Sequence, residues 1–584
     1  MPRQKQHEIT LPSRESILHH LATIGVPLNL QALGEGLKIP KQHYLTLRRR
    51  LRAMERDGQL IRTRRGGYGL PAKMDLYKGH VFAQRDGSGR FIPDAAGEEA
   101  YLSHRQMRSL IHGDKVLVSI NKTKQGEDEA TLVEVLERNT NEVVGRFFIN
   151  RGIGNVEPTN RRIHQTLFIP PDEFGEAEDG KIVVAQILEP PTKNQAAVGR
   201  VIEVLGDNLT PGLETEIVIR DYNLPRVWPQ EVVKAVEKLP TEVPDSAKQG
   251  REDLRDTPLV TIDGEDARDF DDAVFCEPHG KGWRLIVAIA DVASYVKPGT
   301  ALDEEAHKRG TSVYFPTRVI PMLPEELSNG LCSLNPNVDR LCMACEMFIT
   351  SHGTVRKFRF MNGVMRSAAR LTYTEVGKLL AGEANEVPKL LHKHLNHLYQ
   401  LYQLFREKRA KRGAIDFEST ETRVIFGQDK KIERIVPTAR NDAHILIEEM
   451  MLAANVSAAK FLEEQELPML YRDHEGPGSE KLTQVRDFLK PLGLQLGGKD
   501  QPQAKHYAKL VTQFSDRPDR RLLQMVLLRS LKMAVYSPEN TGHFGMAYES
   551  YTLFNSPIRR YPDLLIHRAI KHAIQNKSAQ KFQY

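Results

Sequence analysis

Acidic side chains concentrate in one short segment of this 584-residue chain, the run TIDGEDARDFDDAV. Its carboxylates are Asp263, Glu265, Asp266, Asp269, Asp271 and Asp272. So many carboxylates held together repel one another and raise one another's pKa unless cations neutralise them. Hard divalent metals prefer oxygen ligands, and two such ions about 4 Å apart can activate water and stabilise the leaving oxygen in phosphodiester cleavage. The segment therefore predicts a metal site suited to phosphate chemistry.

Two plainer interpretations of this segment are a solvated surface loop and a calcium-binding loop. The EF-hand register fails, because no helix precedes the segment and no glutamate stands at its twelfth position. Apolar strands are predicted on both sides, over Leu259 to Ile262 and over Ala273 to Phe275. A plain surface loop is not usually framed in this way, so the spacing favours a functional metal site.

The chain around this segment is too long for one hydrophobic core, so three to five domains are expected. Its 40% hydrophobic and 27% charged residues are typical of a soluble globular protein, and its net charge of +6 is compatible with a nucleic-acid partner. No apolar stretch approaches a membrane span or a signal peptide, so we expect a cytoplasmic protein. Cys342 and Cys345 form a CxxC without a second pair at zinc-finger spacing, which favours buried thiols over zinc.

Residues 1–74 show three helical patterns followed by two short strands, which predicts a winged helix-turn-helix. Ser13 can cap the first helix. Arginines cluster on the third helix and on the wing, at Arg48, Arg49, Arg50, Arg52, Arg62, Arg64 and Arg65. A helical bundle with a solvated basic face is the alternative.

Residues 75–138 and 139–210 repeat one order of short strands, which predicts two tandem oligonucleotide-binding (OB) β-barrels. Each repeat has a Gly-x-Val strand with an aromatic, a Phe-Ile-Pro strand, and a Gly-Asp or Asp-Gly turn into a valine-rich strand. The aromatic candidates for base stacking are Phe82, Phe91 and Phe147, with Arg90 and Arg146 beside them. Each ring could equally lie in a barrel core, and both interpretations stay open here.

A polar linker over residues 211–255 precedes a large mixed segment over residues 256–584. Strands are predicted early in this segment and long helices late, over Val387 to Arg412 and Ala443 to Glu464. No Gly-rich phosphate loop of the Walker type occurs, so the sequence gives no support for ATP-driven activity.

The acidic run closely resembles the signature of the ribonuclease II/ribonuclease R family of hydrolytic exoribonucleases. The resemblance extends over essentially the whole chain, and the segments GTSVYFP, PMLPEELSNGLCSLNP and SPIRRYPDLLIHRAI, with the N-terminal module, favour the ribonuclease R branch. It implies a multidomain α+β fold: a winged helix-turn-helix, two cold-shock/OB barrels and a catalytic domain of the RNB type.

The resemblance implies a role for each of four aspartates. Asp263 and Asp272 match direct ligands of Mg²⁺, of which one or two ions are expected. Asp269 matches a supporting carboxylate, and Asp271 matches the one that organises the attacking water and the 3′-terminal nucleotide.

Three further residues match substrate contacts of the family. Tyr314 matches the aromatic that packs on the terminal base and sets the end-product length, and Phe417 matches the ring on the other side of the base stack. Arg559 matches the arginine that holds the scissile phosphate, a task that suits a guanidinium. Without the resemblance, the two aromatics are more often core residues, and Arg559 is equally an ion pair at a helix start.

Three other polar residues could be mistaken for catalytic groups. Metal-activated water needs no histidine base, so His444 and His474 are interpreted as structural or substrate-contacting. Asp291, in VAIADVASYV, could add to the acidic site, although a structural role at a strand end is the better interpretation.

The function that the resemblance implies is processive 3′→5′ hydrolysis of RNA, including structured RNA with a 3′ overhang, to nucleoside 5′-monophosphates and a short end product. RNA is the expected partner, with the ribosome or RNA-decay proteins as further partners of a monomer. Family members continue beyond SPIRRYPDLLIHRAIK to a further glutamate and a third RNA-binding barrel, so we expect a C-terminally truncated catalytic domain with weak or no activity.

Two other classes of function compete with this interpretation. One is a non-catalytic RNA-binding or RNA-remodelling protein, and the other is a DNA-binding regulator acting through the winged helix. The complete set of aspartates favours the enzyme, because a protein that only binds would be free to lose it.

Overall fold

The structure is a computed structural model that describes residues 12–24, 28–57, 59–62, 67–70, 76–94, 99–122, 128–207, 212–417, 421–427, 431–438, 440–576 and 582. It divides into two compact units, Met1–Asn223 and Leu224–Tyr584. None of the helices in these described ranges combines the length and the apolar character that a membrane span requires.

The first unit begins with three helices and a two-stranded sheet. They are α1 (Arg14–Ile24), α2 (Leu30–Gly36), α3 (Tyr44–Arg56), β1 (Ile61–Arg62) and β2 (Tyr68–Gly69). Leu47, Leu51 and Met54 recur every three to four residues along α3 and are fully buried in one cluster with residues of α1. The predicted arginines exposed on α3 are Arg48, Arg49 and Arg52, while Arg64 and Arg65 lie outside the described residues. The helices and paired strands agree with the predicted pattern, and its use as a winged helix-turn-helix stays a prediction.

Two closed five-stranded barrels follow, as predicted. The first consists of β3 (Leu76–Ala83), β4 (Gly89–Pro93), β5 (Ala100–Leu102), β6 (Lys115–Lys122) and β7 (Asp128–Glu137), with α4 (His104–Met107) after β5. The second consists of β8 (Glu142–Asn150), β9 (Ile153–Pro158), β10 (Leu167–Ile169), β11 (Ile182–Glu189) and β12 (Val198–Gly206), and α5 (Leu213–Asp221) comes after it. In both barrels a parallel pair of strands, β5 with β7 and β10 with β12, completes the closure.

A steric constraint explains the glycine in the first strand of each barrel, Gly79 in β3 and Gly145 in β8. A Cβ atom on Gly79 would lie 2.1 Å from the carbonyl oxygen of Ile92, and one on Gly145 would lie 2.4 Å from that of Glu157. Both glycines therefore allow two backbones to approach at the same place in each barrel.

The barrel aromatics divide between the core and the surface. Phe91 and Phe147 are fully buried and belong to the two barrel cores. Phe82 is 37% exposed, and the guanidinium carbon of Arg162 lies 4.8 Å from its ring centroid. The core interpretation is therefore correct for Phe91 and Phe147, and Phe82 is the predicted ring that stays accessible to a base.

A seven-stranded sheet forms the centre of the second unit, in the order β13-β20-β19-β16-β15-β14-β21. Its strands are β13 (Glu252–Asp253), β14 (Val260–Asp263), β15 (Asp272–His279), β16 (Gly282–Ala290), β19 (Asp339–Ile349), β20 (Val355–Arg366) and β21 (Ala369–Thr372). Neighbours are antiparallel except at the two edges, where β13 pairs with β20 and β21 pairs with β14 in parallel. Cys342 and Cys345 are fully buried on β19, which confirms the interpretation as buried thiols.

Helices cover both faces of this sheet. The helices of the unit are α6 (Gln230–Val236), α7 (Asp245–Lys248), α8 (Ala301–Arg309), α9 (Tyr373–Leu380), α10 (Lys389–Arg412), α11 (Asp442–Glu464), α12 (Ser479–Leu489), α13 (Ala504–Gln513), α14 (Arg520–Ser530) and α15 (Tyr561–Asn576). Two-stranded pairs join β17 (Val313–Tyr314) to β18 (Val319–Ile320), β22 (Glu421–Phe426) to β23 (Ile432–Thr438), and β24 (Tyr471–Asp473) to β25 (Val535–Ser537). One core contains residues of α9, α10, α11 and α15, and the other contains residues of α6, α8 and α15.

Because Phe91 is buried and Phe82 is exposed, we expect their replacement to have very different effects on stability. Phe91→Ala leaves a cavity in the first barrel, and we expect it to cost about 3–5 kcal/mol of unfolding free energy. Phe82→Ala removes an exposed ring, so we expect a change within about 0.5 kcal/mol. Hydrogen exchange of the β3 to β7 amides in the whole chain measures both, and equal protection in the two variants would contradict the assignment.

Candidate active site

The acidic segment connects two neighbouring strands of the large sheet. Strand β14 ends at Asp263 and strand β15 begins at Asp272, and the strands are antiparallel with Val260 opposite Val274. The end of one strand and the start of its antiparallel neighbour lie at the same end of a sheet. The predicted order of strand, loop and strand is therefore confirmed, and it brings these two carboxylates together.

Hydrogen bonds from Ser333 and Arg370 fix the loop between the strands. The backbone N–H of Phe270 donates to Ser333 Oγ (3.0 Å), and the Ser333 hydroxyl donates to the carbonyl of Arg268 (2.8 Å). Arg370 donates to the carbonyl of Glu265 (2.7 Å), and its guanidinium carbon lies 5.0 Å from the Phe270 ring centroid. The aspartates of the loop are thus held by backbone contacts and do not depend on one another for position.

Asp271 is the most buried carboxylate of the segment, with 5% exposure. Its Oδ1 accepts the backbone N–H of Ile558 (2.9 Å), and its Oδ2 lies 3.7 Å from Arg559 Nε. Among the described residues Oδ2 has no hydrogen-bond partner. Burial raises the pKa of Asp271 well above its usual range and Asp269 and Asp272 raise it further, while Arg559 acts in the opposite direction.

Asp263 and Asp272 share this electrostatic environment. Burial and repulsion from Asp263 raise the pKa of Asp272 to about 7, with Arg559 opposing them. Burial also raises the pKa of Asp263, and Asp269 adds to the rise. Arg559 opposes the rise in pKa at all three aspartates, and Arg370 also opposes it at Asp263. The pKa values are raised nevertheless, and this excess of hard anionic oxygens fits a divalent cation.

The protein does not supply a closed metal cage at this place. Within the described residues, no group of three or more His, Cys, Asp or Glu side chains has metal-binding geometry. Mg²⁺ is typically held by one or two carboxylates, and water and substrate phosphates complete its coordination. The pair Asp263 and Asp272 fits this open type of site.

Tyr314 and Arg559 also lie beside the aspartates. The Tyr314 hydroxyl donates to Asp269 Oδ2 (2.7 Å), and Tyr314 is 51% exposed, so it is not a core aromatic. The backbone N–H of Ser312 donates to the carbonyl of Arg559 (3.0 Å), which fixes the residue next to β17. The structure thus brings together Asp269, Asp271, Tyr314 and Arg559.

Phe417 has a different environment. Its ring is partly buried against the hydrophobic cluster that contains Ile415, Tyr507 and residues of α12 to α14. No hydrogen bond, ion pair or ring contact within the described residues joins it to the aspartates, so the structure does not bring this predicted residue into the cluster.

The two histidines considered in the sequence support local backbone. His444 Nδ1 accepts the N–H of Asn441 (3.3 Å) in a capping box at the start of α11. His474 Nδ1 accepts the N–H of Gly545 (3.1 Å). Both contacts agree with the structural interpretation.

Tyr373 is a site residue that the sequence interpretation missed. It follows Thr372, which pairs with Asp263 across strands β14 and β21. Burial raises its pKa, and the charges of Asp263 and Asp272 both raise it further. Its ring stacks on His444, with centroids 4.0 Å apart. Tyr373 is about a hundred residues from the acidic run in sequence, and no local pattern could have linked them.

Comparison with known proteins gives the family. The chain matches the RNB domain family over residues 251–576, the cold shock domain family over residues 156–229 and the ribonuclease B OB domain family over residues 79–135. Ribonuclease R of Vibrio cholerae is 52% identical over 578 residues, which cover 98% of this chain and 70% of that protein. The chain belongs to the ribonuclease R family.

Solved structures of Mycoplasma genitalium ribonuclease R have a similar fold. One, in complex with ribose methylated single-stranded RNA, has a TM-score of 0.80 at 27% identity and covers 87% of this chain and 80% of that chain. Another, in complex with double-stranded RNA, has a TM-score of 0.73 at 29% identity and covers 78% of this chain and 80% of that chain. The predicted family, the two barrels and the RNB-type catalytic domain are thereby confirmed, while the domain boundaries stay predictions.

The hydrogen bonds of Ser333 generate a prediction about the acidic loop. Ser333→Ala leaves a buried N–H and a carbonyl without this partner, so we expect it to cost about 1–3 kcal/mol of stability. Because the loop carries the aspartates, we also expect lower ribonuclease activity at a temperature where the variant is folded. Thermal unfolding and single-turnover RNA degradation measure the two effects. Ser351→Ala, at an exposed serine, is the control and should change neither.

Proposed function

We propose that this chain hydrolyses RNA processively from its 3′ end to nucleoside 5′-monophosphates, with Mg²⁺ bound by Asp263 and Asp272. The enzyme class follows from membership of the ribonuclease R family: the chain is a 3′→5′ exoribonuclease, and ribonucleases of the RNB family generally depend on divalent metal ions. The choice of Mg²⁺, the residue roles and the end products are proposals.

The observation that carries the proposal is the environment of Asp271. Its Oδ2 is buried, has no hydrogen-bond partner in the described part of the chain, and lies 3.7 Å from Arg559 Nε. An acceptor oxygen in this position can orient a water molecule, because a buried carboxylate oxygen without a donor gains most from one. Its other oxygen is fixed by the N–H of Ile558, so the free oxygen points in one direction.

The carboxylates of Asp263 and Asp272 would hold the metal. Divalent cations at such sites activate water and stabilise the leaving oxygen of a phosphodiester. The two side chains stand at facing strand ends, so the sheet sets their separation before any ligand binds. Asp269, which accepts the Tyr314 hydroxyl, would support this pair without binding directly.

Arg559 would hold the scissile phosphate. Its side chain is 43% exposed, so its N–H groups remain accessible to a ligand although it also lies next to Asp271. A guanidinium can bind two phosphate oxygens at once and stabilise the negative charge that develops in the transition state. The exposure of the guanidinium favours phosphate binding over a purely structural ion pair with Asp271.

Aromatic rings would hold the terminal bases. Tyr314 is half exposed beside Asp269, which agrees with a ring that packs on the last base and sets the end-product length. Phe417 would contact the other side of the base stack only if a substrate reaches the partly buried surface near Ile415. Stacking does not depend on base identity, as an enzyme that degrades any RNA requires.

The RNA substrates of the relatives support a similar substrate here. The two Mycoplasma structures contain single-stranded and double-stranded RNA. We propose that the exposed Phe82 of the first barrel and Arg162, which lies between β9 and β10 of the second barrel, contact such RNA. Degradation of structured RNA that carries a 3′ overhang is part of the same proposal, and the double-stranded RNA in one relative's structure supports it.

Replacing the central carboxylate tests the reaction. We expect Asp271→Asn to lower single-turnover degradation of a duplex with a 3′ overhang by at least about 100-fold, because the amide is a poorer acceptor for the attacking water. Asp266→Asn changes an exposed carboxylate of the same loop and should retain the wild-type rate. A wild type that releases no nucleotides with Mg²⁺ even at high protein concentration, or an Asp271→Asn variant as fast as wild type, would refute the proposal, whereas the weak activity expected from the sequence would not.

Replacing a proposed ligand tests the metal without measuring activity. In a chelator, we expect Asp272→Asn to raise the thermal unfolding temperature, because it removes one of the carboxylates that repel each other. With Mg²⁺ the order should reverse, since only the wild type gains the binding free energy of the ion. Asp266→Asn should behave like the wild type in both conditions. If Mg²⁺ does not change the unfolding temperature of the wild type, Asp263 and Asp272 do not bind the ion as proposed.

A further inference from the structure

A buried ion cluster joins helix α15 to the end of strand β16. Asp291 is fully buried, and Lys571 Nζ lies 2.6 Å from each of its carboxylate oxygens. Arg251 Nη2 lies 2.9 Å from Asp291 Oδ2. The Ser294 hydroxyl donates to Asp291 Oδ2 (2.6 Å) and accepts from Lys571 and Arg251 (2.7 Å each). These four residues are called the Asp291 network below.

The charges of this network leave no role for Asp291 as a metal ligand. Although burial acts to raise its pKa, Lys571 and Arg251 hold the pKa of Asp291 below its usual range. The carboxylate is therefore charged and ion-paired with two cations, and its Oδ2 accepts the hydrogen bonds of the network. A buried ion pair is costly to break because the remaining charge is left unpaired, so the network fixes the distance between its members.

The network connects two groups of the candidate active site. Asp291 directly follows Ala290, whose backbone N–H donates to the carbonyl oxygen of Asp271 (2.8 Å). Lys571 belongs to α15, and the residues leading into α15 include Ile558 and Arg559, which contact the Asp271 carboxylate. The network thus links the end of β16, which hydrogen-bonds to the Asp271 backbone, to α15. The residues just before α15, Ile558 and Arg559, contact the Asp271 side chain.

A second buried contact of α15 has a different target. Arg568 donates to Asp303 Oδ1 (2.6 Å), and Tyr561 donates to the same oxygen (2.8 Å). Asp303 belongs to α8, so this contact fixes the helix to another helix. The Asp291 network instead fixes it to the strand end beside Asp271.

We propose that Lys571, Asp291 and Arg251 are positioning residues for hydrolysis, which set the distance between the Arg559 guanidinium and the Asp271 carboxylate. None of them touches the substrate. The inference depends on the proposed roles of Asp271 and Arg559. It adds that full activity also requires three charged residues outside the acidic run.

The test compares three lysine variants of the whole chain with Mg²⁺ and single-stranded RNA. Lys571→Met keeps the length of the side chain and removes its charge, and we expect kcat to fall by about 10- to 100-fold while KM changes by less than about 2-fold. Lys571→Arg keeps the charge and should retain most of the rate. Lys297→Met removes a nearby exposed lysine that donates to the carbonyl of Ala293. Lys297 repels Lys571 but is not a member of the Asp291 network, so this variant should behave as wild type.

A double-mutant cycle separates positioning from general loss of stability. If Lys571 acts through Arg559, Lys571→Met should lower kcat by less than about 2-fold in an Arg559→Ala background, because the group to be positioned is already gone. Equal fold-losses in both backgrounds would overturn the proposal. An unchanged kcat in Lys571→Met, or a wild-type rate in Arg559→Ala, would overturn it too.

A milder variant covers the case in which Lys571→Met does not fold. Ser294→Ala keeps all three charges and removes the hydroxyl that they share, so we expect a smaller loss of kcat with the same dependence on Arg559. A Ser294→Ala variant with wild-type kcat would then contradict the proposal. A wild type without hydrolysis refutes the proposed function itself, whereas an active wild type with insensitive network variants refutes only this inference.

Discussion

Repulsion between carboxylates that are held out of water is the constraint on which the rest of the second unit depends. Asp263, Asp271 and Asp272 all have raised pKa values because burial and their neighbours both oppose ionisation. Such a cluster cannot stabilise the fold, so it persists only where other parts of the structure determine its geometry. The two sheet strands and the hydrogen bonds of Ser333 supply that geometry. The cluster is therefore built to receive positive charge from outside.

The hydrophobic cores on the two faces of the sheet supply the stability that offsets this repulsion. Strands β16 and β19 are mostly buried, and α15 contributes side chains to both clusters. Helix α15 begins two residues after Arg559, so a well-packed element anchors the segment that carries the guanidinium. A charge held on a well-packed element loses little freedom when it binds a phosphate, which is the physical basis of preorganisation.

Local pattern was sufficient to predict the strand–loop–strand geometry of the acidic run, the two barrels and the long helices. It could also have decided the barrel aromatics, because side chains alternate along a strand and the exposed Arg90 places Phe91 inside. Ser333 and Tyr373 could not be found in this way, since each reaches the acidic loop from about sixty to a hundred residues away. Such contacts depend on strand order, which spacing does not encode. The family resemblance supplied roles for seven residues, yet Phe417 lies in a separate cluster.

Asp271 and Asp291 show why the number of buried aspartates alone cannot identify a functional carboxylate. Both are buried, Asp271 directly before strand β15 and Asp291 directly after strand β16, and the two lie at the same end of this strand pair. Asp291 has two cations within 3 Å, so its charge is balanced inside the protein. Asp271 has one guanidinium at 3.7 Å and is repelled by Asp269 and Asp272, so its balance requires a ligand. The balance of charge around each carboxylate therefore distinguishes the residue that holds the structure together from the residue available for chemistry.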